Sequence, residues 1–497
     1  MRKHLSISLA LAAALFATAK SDQPNIIFIL ADDIGYNDLS MFGQTAFETP
    51  ELDRMANEGI RFTDFYAGSA VCAPSRSVLL TGLHQGNTSI RANTMNIINE
   101  DGTPGATPKS FDPEDVTIGE VLKTVGYQTG IIGKWGLGEL NDTGHPNKQG
   151  FDYFFGFLNH VHAHNHFTDH LYRNYERVDI PENEVIEVDC SYCHKFNFTG
   201  VVSTVREVYV DDLIRDESLA FIERNKKKPF FLYVSLISPH ANNEAEQVDW
   251  AHGLEVPDYG PFENKDWPDT AKGYAEMMRR VDETAGAIRI KVEELGIADN
   301  TIIMFSGDNG PHQEGGNNPD FFDSNGALRG IKRDLYEGGI RMPTLAWGPG
   351  IVPQGVVSDH IAYFGDLMTT YAELAGAEAP ENLDSLSFAP TLTGDFKKQE
   401  EPDYIYWEFY GHGSSQAVRM DQWKAVRIPL ESGPIELYDL SKDLSEENDV
   451  AADHPELVAK IDKIMAANHH PSPSWIPDLG RKSPDRLRLE REAAKKK

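Results

Sequence analysis

Four short apolar runs constrain the fold of this 497-residue chain more than any other feature. Each run is rich in β-branched residues, and long stretches of helix-forming sequence separate them. In chain order they are NIIFILA (25–31), QTGIIG (128–133), PFFLYVSLI (229–237) and TIIMFSG (301–307). Runs that are apolar throughout are typical of strands covered on both faces, as in a parallel sheet. Their alternation with helices predicts an α/β fold.

The stretches between and after these runs indicate how the chain is organised. Helices are predicted over PELDRMANEG (50–59), TIGEVLKTVG (117–126), VDDLIRDESLAFIERN (210–225) and GYAEMMRRVDETAGAIRIKVEELG (273–296). After about residue 396, short alternating runs and one helical stretch, HPELVAKIDKIMAAN, predict a small antiparallel sheet with a packed helix. We therefore expect a main domain over 20–395, a C-terminal subdomain over 396–475 and a flexible, charged tail over 476–497.

The first 19 residues, MRKHLSISLALAAALFATA, have the order of a secretory signal peptide. Basic residues come first, an apolar run follows, and the small residues at 17–19 offer a cleavage site. We expect cleavage after Ala19 and an exported protein, either periplasmic or extracellular. A membrane anchor is the weaker interpretation, because the apolar run is shorter than the ~20 residues that a spanning helix needs.

The net charge of −31 disfavours two classes of partner. Nucleic acids and anionic membrane surfaces both repel an acidic protein, so neither is expected to bind this chain. A small anionic ligand is a different case, because it responds to the cations in its immediate surroundings rather than to the charge of the whole chain.

Polar side chains follow each of the four apolar runs. In chain order they are Asp32 and Asp33, Lys134, His240, and Asp308 with Asn309. Because ligands of open α/β sheets bind beyond the carboxyl ends of the strands, we expect these side chains at one edge of the sheet. The acidic and amide oxygens among them favour calcium or magnesium over softer metals. The ADD segment alone fits a turn or a helix cap better, since Asp is common after strands.

A cysteine stands in the segment AVCAPSRSVLLTG (70–82), between the strand candidate RFTDFYA (61–67) and a short apolar helix. Pro74 suits the first turn of that helix, so Cys72 lies where backbone N–H groups and the helix dipole favour negative charge. Arg76 follows about one turn later, where its guanidinium could stabilise charge at position 72. Taken alone, the segment fits a buried, inert cysteine better.

The other two cysteines, Cys190 and Cys193, form the motif CSYC. In an exported protein this pair is compatible with a local disulfide, with a two-thiolate contribution to a metal site beside His194, or with two unpaired thiols. A second C-x-x-C motif is missing from the sequence, so a structural zinc site is poorly supported. In each case Cys72 has no partner.

Taken together, these segments resemble the type I sulfatases. CAPSR matches the C-x-P-S-R motif of that family, in which the cysteine is oxidised after translation to formylglycine. The similarity covers roughly residues 24–360, through PNIIFILADDIGYNDLSMFG, TPELDRMANEGIRFTDFYA, TGIIGKWGLG, GFDYFFGF, FSGDNGP and LYEGGIRMPTLAWGPG. It implies an alkaline-phosphatase-like fold: a mixed, mainly parallel sheet sandwiched by helices, with a smaller C-terminal antiparallel sheet and helix.

The resemblance also implies an activity, the hydrolysis of sulfate esters in the main domain. It implies one calcium ion and a maturation enzyme that converts Cys72 to formylglycine. The implied calcium ligands are Asp32, Asp33, the formylglycine at Cys72, Asp308 and Asn309. Arg76 would hold the formylglycine, Lys134 and Lys332 the sulfate oxygens, and His240 the leaving-group side.

The implied chemistry explains why an unmodified thiol at Cys72 could not replace formylglycine as the nucleophile. One hydroxyl of the hydrated aldehyde attacks sulfur while His240 protonates the departing alcohol oxygen. Cations around the sulfate offset its charge and favour the transition state. The second hydroxyl then expels the sulfate, and a thiol has no counterpart to it.

One position departs from the family pattern. Many members have a histidine two residues after the lysine of GKWxLG, where it contacts the formylglycine, but this chain has Gly136. The segment GFLNHVHAHNHFTDHLYRN carries five histidines, His160, His162, His164, His166 and His170. Either one of them takes this role or the last step is assisted differently. The alternative for the five is that they grip substrate or face solvent.

The loop HAHNHFTDHLYRNYE (162–176) bears on the substrate. Its His, Arg and Asn content resembles what glycan-directed sulfatases place around the pocket and, more weakly, what sulfatases of marine galactans carry there. We expect a sulfated polysaccharide or its oligosaccharides, such as a carrageenan-like galactan, bound by His162, His164 and Arg173. Small aryl or choline sulfates are the alternative substrates. A phosphate or phosphonate monoester hydrolase and a non-catalytic glycan-binding relative are the alternative functions.

Overall fold

The computed structural model describes residues 23–98, 102, 104–190, 193, 199–478 and 480–495. The predicted signal peptide, residues 1–19, lies outside the described residues. Within those ranges, no helix combines the length and the apolar character that crossing a membrane requires.

The strands of the described chain form one large sheet and several small ones. In chain order they are β1 (Asn25–Ala31), β2 (Ile60–Phe62), β3 (Phe65–Tyr66), β4 (Met95–Ile98), β5 (Pro104–Thr107), β6 (Gln128–Lys134), β7 (Tyr153–Phe157), β8 (His170–Arg173), β9 (Glu176–Asp179), β10 (Glu184–Val188), β11 (Gly200–Val205), β12 (Phe230–Ser235), β13 (Thr301–Gly307), β14 (Thr344–Trp347), β15 (Val356–Ser358), β16 (Ala362–Tyr363), β17 (Ile405–Phe409), β18 (Ser415–Met420), β19 (Trp423–Arg427) and β20 (Ile435–Asp439).

The α-helices alternate with these strands in the main domain and follow them in the C-terminal subdomain. They are α1 (Pro50–Asn57), α2 (Cys72–Thr81), α3 (Ile118–Lys123), α4 (Val210–Asn225), α5 (Asp269–Glu294), α6 (Glu337–Ile340), α7 (Asp366–Ala375), α8 (Ala389–Leu392), α9 (Pro455–Asn468) and α10 (Pro484–Lys495).

The large sheet has ten strands in the order β15-β2-β14-β13-β1-β12-β6-β7-β8-β9. Its five central strands, from β13 to β7, run parallel to one another. Antiparallel partners flank them, β14 on one side and β8 on the other. The four apolar runs are β1, β6, β12 and β13, which lie side by side at the centre. The predicted mixed, mainly parallel sheet is confirmed.

Helices cover both faces of this sheet, as alternate residues of β1 demonstrate. Phe28 packs into a core that includes side chains of α2, α3 and α7. Ile27 and Ile29 point to the opposite core, which α1, α4 and α5 complete. Because each face of β1 is buried, six of its seven residues are apolar, and the polar one, Asn25, donates to Thr301 Oγ1 at 3.0 Å.

The C-terminal subdomain is a four-stranded antiparallel sheet, β17-β18-β19-β20. One face contributes Trp407 and Val426 to the core of the main domain. The other face packs Val418 against Ile461 and Met465 of α9. The predicted small antiparallel sheet with its packed helix is therefore confirmed.

Two local expectations differ from the structure. The candidate strand over 61–67 is divided between β2 and β3, which belong to different sheets. The tail predicted to be flexible contains α10, and its first turn is anchored because the buried Asp485 carboxylate accepts a hydrogen bond of 2.8 Å from Arg329. Charge-rich composition suggested a solvated segment, but this one carboxylate has a buried partner.

Candidate active site

The residues that follow the central strands meet in one buried cluster at the carboxyl edge of the sheet. Asp32, Asp33, Asp308 and Asn309 have no solvent exposure. The Asp33 backbone N–H donates to Asp308 Oδ1 at 3.0 Å, and Asn309 Nδ2 donates to Asp33 Oδ1 at 2.7 Å. One oxygen from each of the three carboxylates lies within 4.8 Å of the others. The topology thus places these side chains together, as the strand-end argument predicted.

Two oxygens in this cluster fit a hard divalent cation. Asp32 Oδ1 and Asn309 Oδ1 are buried, and neither has a hydrogen-bond partner among the described residues. Burial raises the pKa of Asp308, and the neighbouring Asp32 carboxylate raises it further, because two negative charges repel at close range. A cation bound by carboxylate and amide oxygens would offset that repulsion, and this donor set suits calcium or magnesium.

Cys72 is the first residue of α2 and is buried beside this cluster. The helix is held against β13 by Ser75, whose hydroxyl donates to the Asp308 carbonyl oxygen at 2.6 Å and accepts from the Gly68 N–H at 3.1 Å. Burial raises the pKa of the Cys72 thiol, and the charge of Asp32 adds to that rise. A thiol held in its protonated form is a poor nucleophile.

Three cations surround the carboxylates. Arg76 donates through Nε and NH2 to Asp308 Oδ2, at 3.0 and 2.9 Å, and through NH1 to the Lys134 carbonyl oxygen. Lys134 Nζ lies 2.5 Å from Asp32 Oδ2. Lys332 Nζ lies 2.7 Å from Asp33 Oδ2. All three side chains are buried, so their charges act at low dielectric on whatever binds here.

His240 completes the cluster from the loop after β12. Its Nδ1 is 2.7 Å from the Ala241 carbonyl oxygen, which can only accept, so Nδ1 carries a proton. Its Nε2 faces the cluster, 3.1 Å from Lys332 Nζ and 3.4 Å from Asp33 Oδ2. Asp32, Cys72 and His240 each place one donor atom within 4.8 Å of the others.

Two further histidines hold His240 in place. The His164 ring stacks on His240, with 4.8 Å between the centroids, and its Nδ1 lies 3.1 Å from Glu244 Oε2. His166 Nε2 donates to the His240 carbonyl oxygen at 2.7 Å. The predicted residue His164 therefore lies at the cluster.

The other two predicted substrate-binding residues lie elsewhere. His162 contacts Thr168 Oγ1 at 2.7 Å and borders a cavity of about 270 Å³ that Glu244 also lines. Arg173, on the edge region of the sheet, pairs with Glu217 at 3.3 Å and is about half exposed. A role for Arg173 at this site stays a prediction.

Sequence reasoning missed Glu314. Its Oε2 lies 2.7 Å from Lys332 Nζ and 3.8 Å from His240 Nε2, and its Oε1 pairs with Arg333. The residue stands in an irregular loop after β13, where no periodic pattern marks it. Proximity to the GDNG segment was the one available signal.

The two remaining cysteines, Cys190 and Cys193, form a disulfide. Of the three alternatives that the CSYC motif left open, the structure has this one. Cys72 is the free cysteine. The Cys193 sulfur lies 3.9 Å from Glu244 Oε1, so the disulfide packs behind the carboxylate that contacts His164.

Known families and proteins match nearly the whole chain. The sulfatase family matches residues 24–377, and a family described as N-sulphoglucosamine sulphohydrolase, C-terminal, matches residues 330–469. Human N-acetylgalactosamine-6-sulfatase is 34% identical over 391 residues, which cover 76% of this chain and 67% of that protein. N-acetylgalactosamine-6-O-sulfatase of Bacteroides thetaiotaomicron is 32% identical over 508 residues, which cover 90% and 93%.

Solved structures agree with these matches. The crystal structure of Ps i-CgsB in complex with k-i-k-neocarrahexaose has a TM-score of 0.69 and 28% identity, and the match covers 95% of this chain and 98% of that one. The predicted alkaline-phosphatase-like architecture is thereby confirmed. The matched span holds both the Cys72 segment and the strand ends that carry the buried carboxylates. The chain therefore belongs to the sulfatase family and is a sulfuric ester hydrolase.

Proposed function

We propose that this chain is an exported sulfatase that removes sulfate from a sulfated polysaccharide or its oligosaccharides. It would act with one calcium ion and with Cys72 converted to formylglycine. The proposal rests chiefly on one observation: Cys72, three buried cations and His240 surround three buried carboxylates at a single edge of the sheet.

Asp32, Asp33, Asp308 and Asn309 would hold the calcium ion. When bound, the ion would offset the carboxylate charges and polarise a sulfate oxygen. The unpartnered oxygens of Asp32 and Asn309 support this assignment, since a buried oxygen without a partner is costly unless a ligand satisfies it.

The conversion of Cys72 to formylglycine would supply the nucleophile that the protonated thiol lacks. The hydrated aldehyde has one hydroxyl that attacks sulfur and another that expels the sulfate. The N-terminus of α2 and the Arg76 guanidinium favour negative charge at this position. Arg76 is itself fixed by two hydrogen bonds to Asp308, which orients it toward residue 72.

The remaining residues bind the sulfate and move a proton. Lys134 and Lys332 hold the sulfate oxygens and offset their charge, because both ammonium groups lie beside the carboxylate cluster. His240 contacts the departing alcohol oxygen through Nε2 and, in its imidazolium form, donates the proton that this oxygen takes up. Burial and the Lys332 charge hold the pKa of His240 well below its usual range, so the ring must take up a proton before it donates one. Its Nδ1 is committed to the Ala241 carbonyl, so Nε2 is the nitrogen that exchanges protons with substrate.

His160 takes the role of the histidine that many family members have at the position of Gly136. A Cβ atom on Gly136 would lie 3.3 Å from the His160 Cβ, so the two positions lead into the same space. Burial, with His164 and Lys134 nearby, holds the pKa of His160 well below its usual range, which keeps its imidazole neutral and able to accept a proton.

A swap of the two positions tests this role. His160→Ala is expected to lower kcat by about a hundredfold, the range of a lost general base. Adding Gly136→His should restore part of the rate, since histidine tolerates the left-handed φ of +74° at that position better than most residues. A merely structural histidine would show no such rescue, and a His160→Ala enzyme of unchanged kcat would contradict the role.

A carbohydrate substrate is supported by the names of the relatives and by the cavity that His162 and Glu244 line. The B. thetaiotaomicron relative is an N-acetylgalactosamine-6-O-sulfatase, and Ps i-CgsB was crystallised with k-i-k-neocarrahexaose. His162 and Glu244 line the cavity next to the cluster, where further sugar units would lie. Arg173 is a candidate for contact with a second acidic group.

The test is turnover by correctly matured protein. The chain is produced with a formylglycine-generating enzyme, the Cys72 peptide is checked by mass spectrometry, and sulfate release is followed over defined sulfated galactans and glycosaminoglycan oligosaccharides. Faster hydrolysis of nitrophenyl phosphate than of nitrophenyl sulfate would favour the phosphate monoester alternative. A native protein without the aldehyde and without turnover would favour a glycan-binding role.

A further inference from the structure

We infer that His162, Asp169 and His170 form a second metal site, which binds a transition-metal ion of the Zn²⁺ class. One donor atom from each residue lies within 4.8 Å of the others. Two imidazoles and one carboxylate are ligands that Zn²⁺ accepts, whereas calcium prefers a set made of oxygens. The inference does not depend on the sulfatase reaction, because none of these residues belongs to the carboxylate cluster.

The local fold presents the three side chains together. His162 belongs to a short 3-10 turn, and His170 is the first residue of β8. Their rings stack with centroids 4.3 Å apart, so the two imidazoles share one location although a loop separates them. Because both histidines are fixed by the fold around them, the ion would not have to order a flexible loop.

The Asp169 carboxylate is oriented from both sides. Its Oδ1 lies 2.6 Å from His170 Nδ1, and its Oδ2 lies 3.3 Å from the Arg177 guanidinium. A bound Zn²⁺ would replace the proton that lies between Asp169 Oδ1 and His170 Nδ1, so that both residues ligate the ion. Arg177 approaches from the exposed side, which leaves the Oδ1 side to the histidines.

An ion has a route to this location. All three residues are partly exposed, and both histidines line the cavity of about 270 Å³ described above. Glu244 forms part of the same cavity wall and contacts His164, which stacks on His240. Zn²⁺ bound here would tie the 3-10 turn to β8 and stiffen the wall between the cavity and the catalytic cluster.

Zinc retention by the matured, calcium-loaded protein tests the site. The protein is equilibrated with Zn²⁺, and bound metal is measured by mass spectrometry and by calorimetry. We expect one equivalent of zinc, with affinity at least tenfold lower in His162→Gln and in His170→Gln and with calcium content unchanged. His252→Gln is the matched control, since His252 is also a partly buried histidine but contacts Tyr259 instead.

Two results would overturn the site: wild-type protein that retains no zinc, or glutamine variants that retain zinc as the wild type does. A measurement on wild-type crystals does not depend on the folding of the variants. Anomalous scattering at the zinc edge should show a peak between His162 and His170. A peak only beside Cys72 and His240 would assign the zinc to the catalytic cluster and refute the inference.

Discussion

Two buried clusters of charged side chains differ in how their carboxylate oxygens are satisfied. Beneath the C-terminal sheet, both oxygens of Glu337 have partners: Oε1 accepts from Lys424 at 2.9 Å, and Oε2 accepts from Tyr66 at 2.8 Å and from Arg341 at 3.1 Å. At the edge of the large sheet, Asp32 Oδ1 accepts no hydrogen bond from the described residues, and the Arg76 guanidinium lies 3.6 Å from it.

The pKa values of Glu337 and Asp308, one carboxyl group from each cluster, shift in opposite directions. Burial alone would raise the pKa of Glu337, but Lys424 and Arg341 hold that pKa below its usual range. Burial raises the pKa of Asp308, and the Asp32 carboxylate beside it does the same.

We call the first cluster matched because both Glu337 oxygens accept hydrogen bonds, and it joins parts of the fold. We call the second cluster unmatched because one carboxylate oxygen accepts no hydrogen bond from the described residues, although Arg76, Lys134 and Lys332 pair with its carboxylates. A bound cation would satisfy that oxygen. The following changes separate the two.

The largest expected effect is on catalysis at the unmatched cluster. Cys72→Ala should lower kcat by at least about a thousandfold, because it removes the precursor of the nucleophile. The melting temperature should stay close to that of the wild type, because a small buried side chain is replaced by another. Sulfate release and thermal unfolding measure the two quantities. Retained turnover would mean that Cys72 has no catalytic role.

At the matched cluster we expect a substitution to lower stability and to leave catalysis nearly unchanged. Glu337→Gln should lower the free energy of unfolding by about 3–5 kcal/mol, because it removes the carboxylate that pairs with both Lys424 and Arg341. The buried Lys424 ammonium would keep the longer contact with Glu446, at 3.7 Å. The kcat of the protein that remains folded should change little. Urea unfolding and sulfate release provide the measurements. A double change, Glu337→Met with Lys424→Met, should recover much of the loss, and its failure to do so would argue against charge matching as the cause.

Added calcium should stabilise the two clusters to different extents. At a hundred times its dissociation constant, calcium should raise the free energy of unfolding by about 2.7 kcal/mol. Asp32→Asn should abolish that increment, while Glu337→Gln should keep it. Thermal unfolding with and without a chelator measures the difference. An equal response of both variants would place the ion somewhere other than the carboxylate cluster.

The smallest effect is expected at the anchored tail. Asp485→Asn should cost about 1–2 kcal/mol, since it weakens a hydrogen bond between charged groups while Arg329 keeps its bonds to Tyr438 and to the Glu446 carbonyl. Faster hydrogen exchange should be confined to α10. Arg486→Gln, at an exposed position of the same helix, is the control and should leave exchange near the wild-type rate.

The strands buried on both faces were predictable, two of them to the residue. The bounds of β1 and β13 equal those of the apolar runs, because burial on each side leaves few positions for a polar side chain; Asn25 and Thr301 occupy two of them and hydrogen-bond to each other. The edge strands β8 and β9 were not predicted, since their solvent-facing residues interrupt any apolar run. Helix α4 was predictable for the same reason as the central strands, through one continuous buried stripe.

The residues of the candidate active site also separate into those that the sequence predicted and those that it did not. Asp32, Lys134 and Asp308 were predictable because the carboxyl ends of adjacent parallel strands must meet. Glu314 was not, because a loop without periodicity brings it to Lys332 only after the whole sheet has formed. The contact that anchors the tail was not predicted, because the composition of the segment does not reveal that Asp485 will accept a hydrogen bond from Arg329.

Trp407 lies in the C-terminal sheet but packs into the core of the main domain, and this affects where the chain can be truncated. Its indole N–H donates to the Ala67 carbonyl oxygen at 2.9 Å, only five positions before Cys72, and its ring belongs to the core of the main domain. A fragment ending at residue 395 would leave that core open to water. The border at 396 is thus a boundary of architecture and not one at which two independently stable pieces could be expressed.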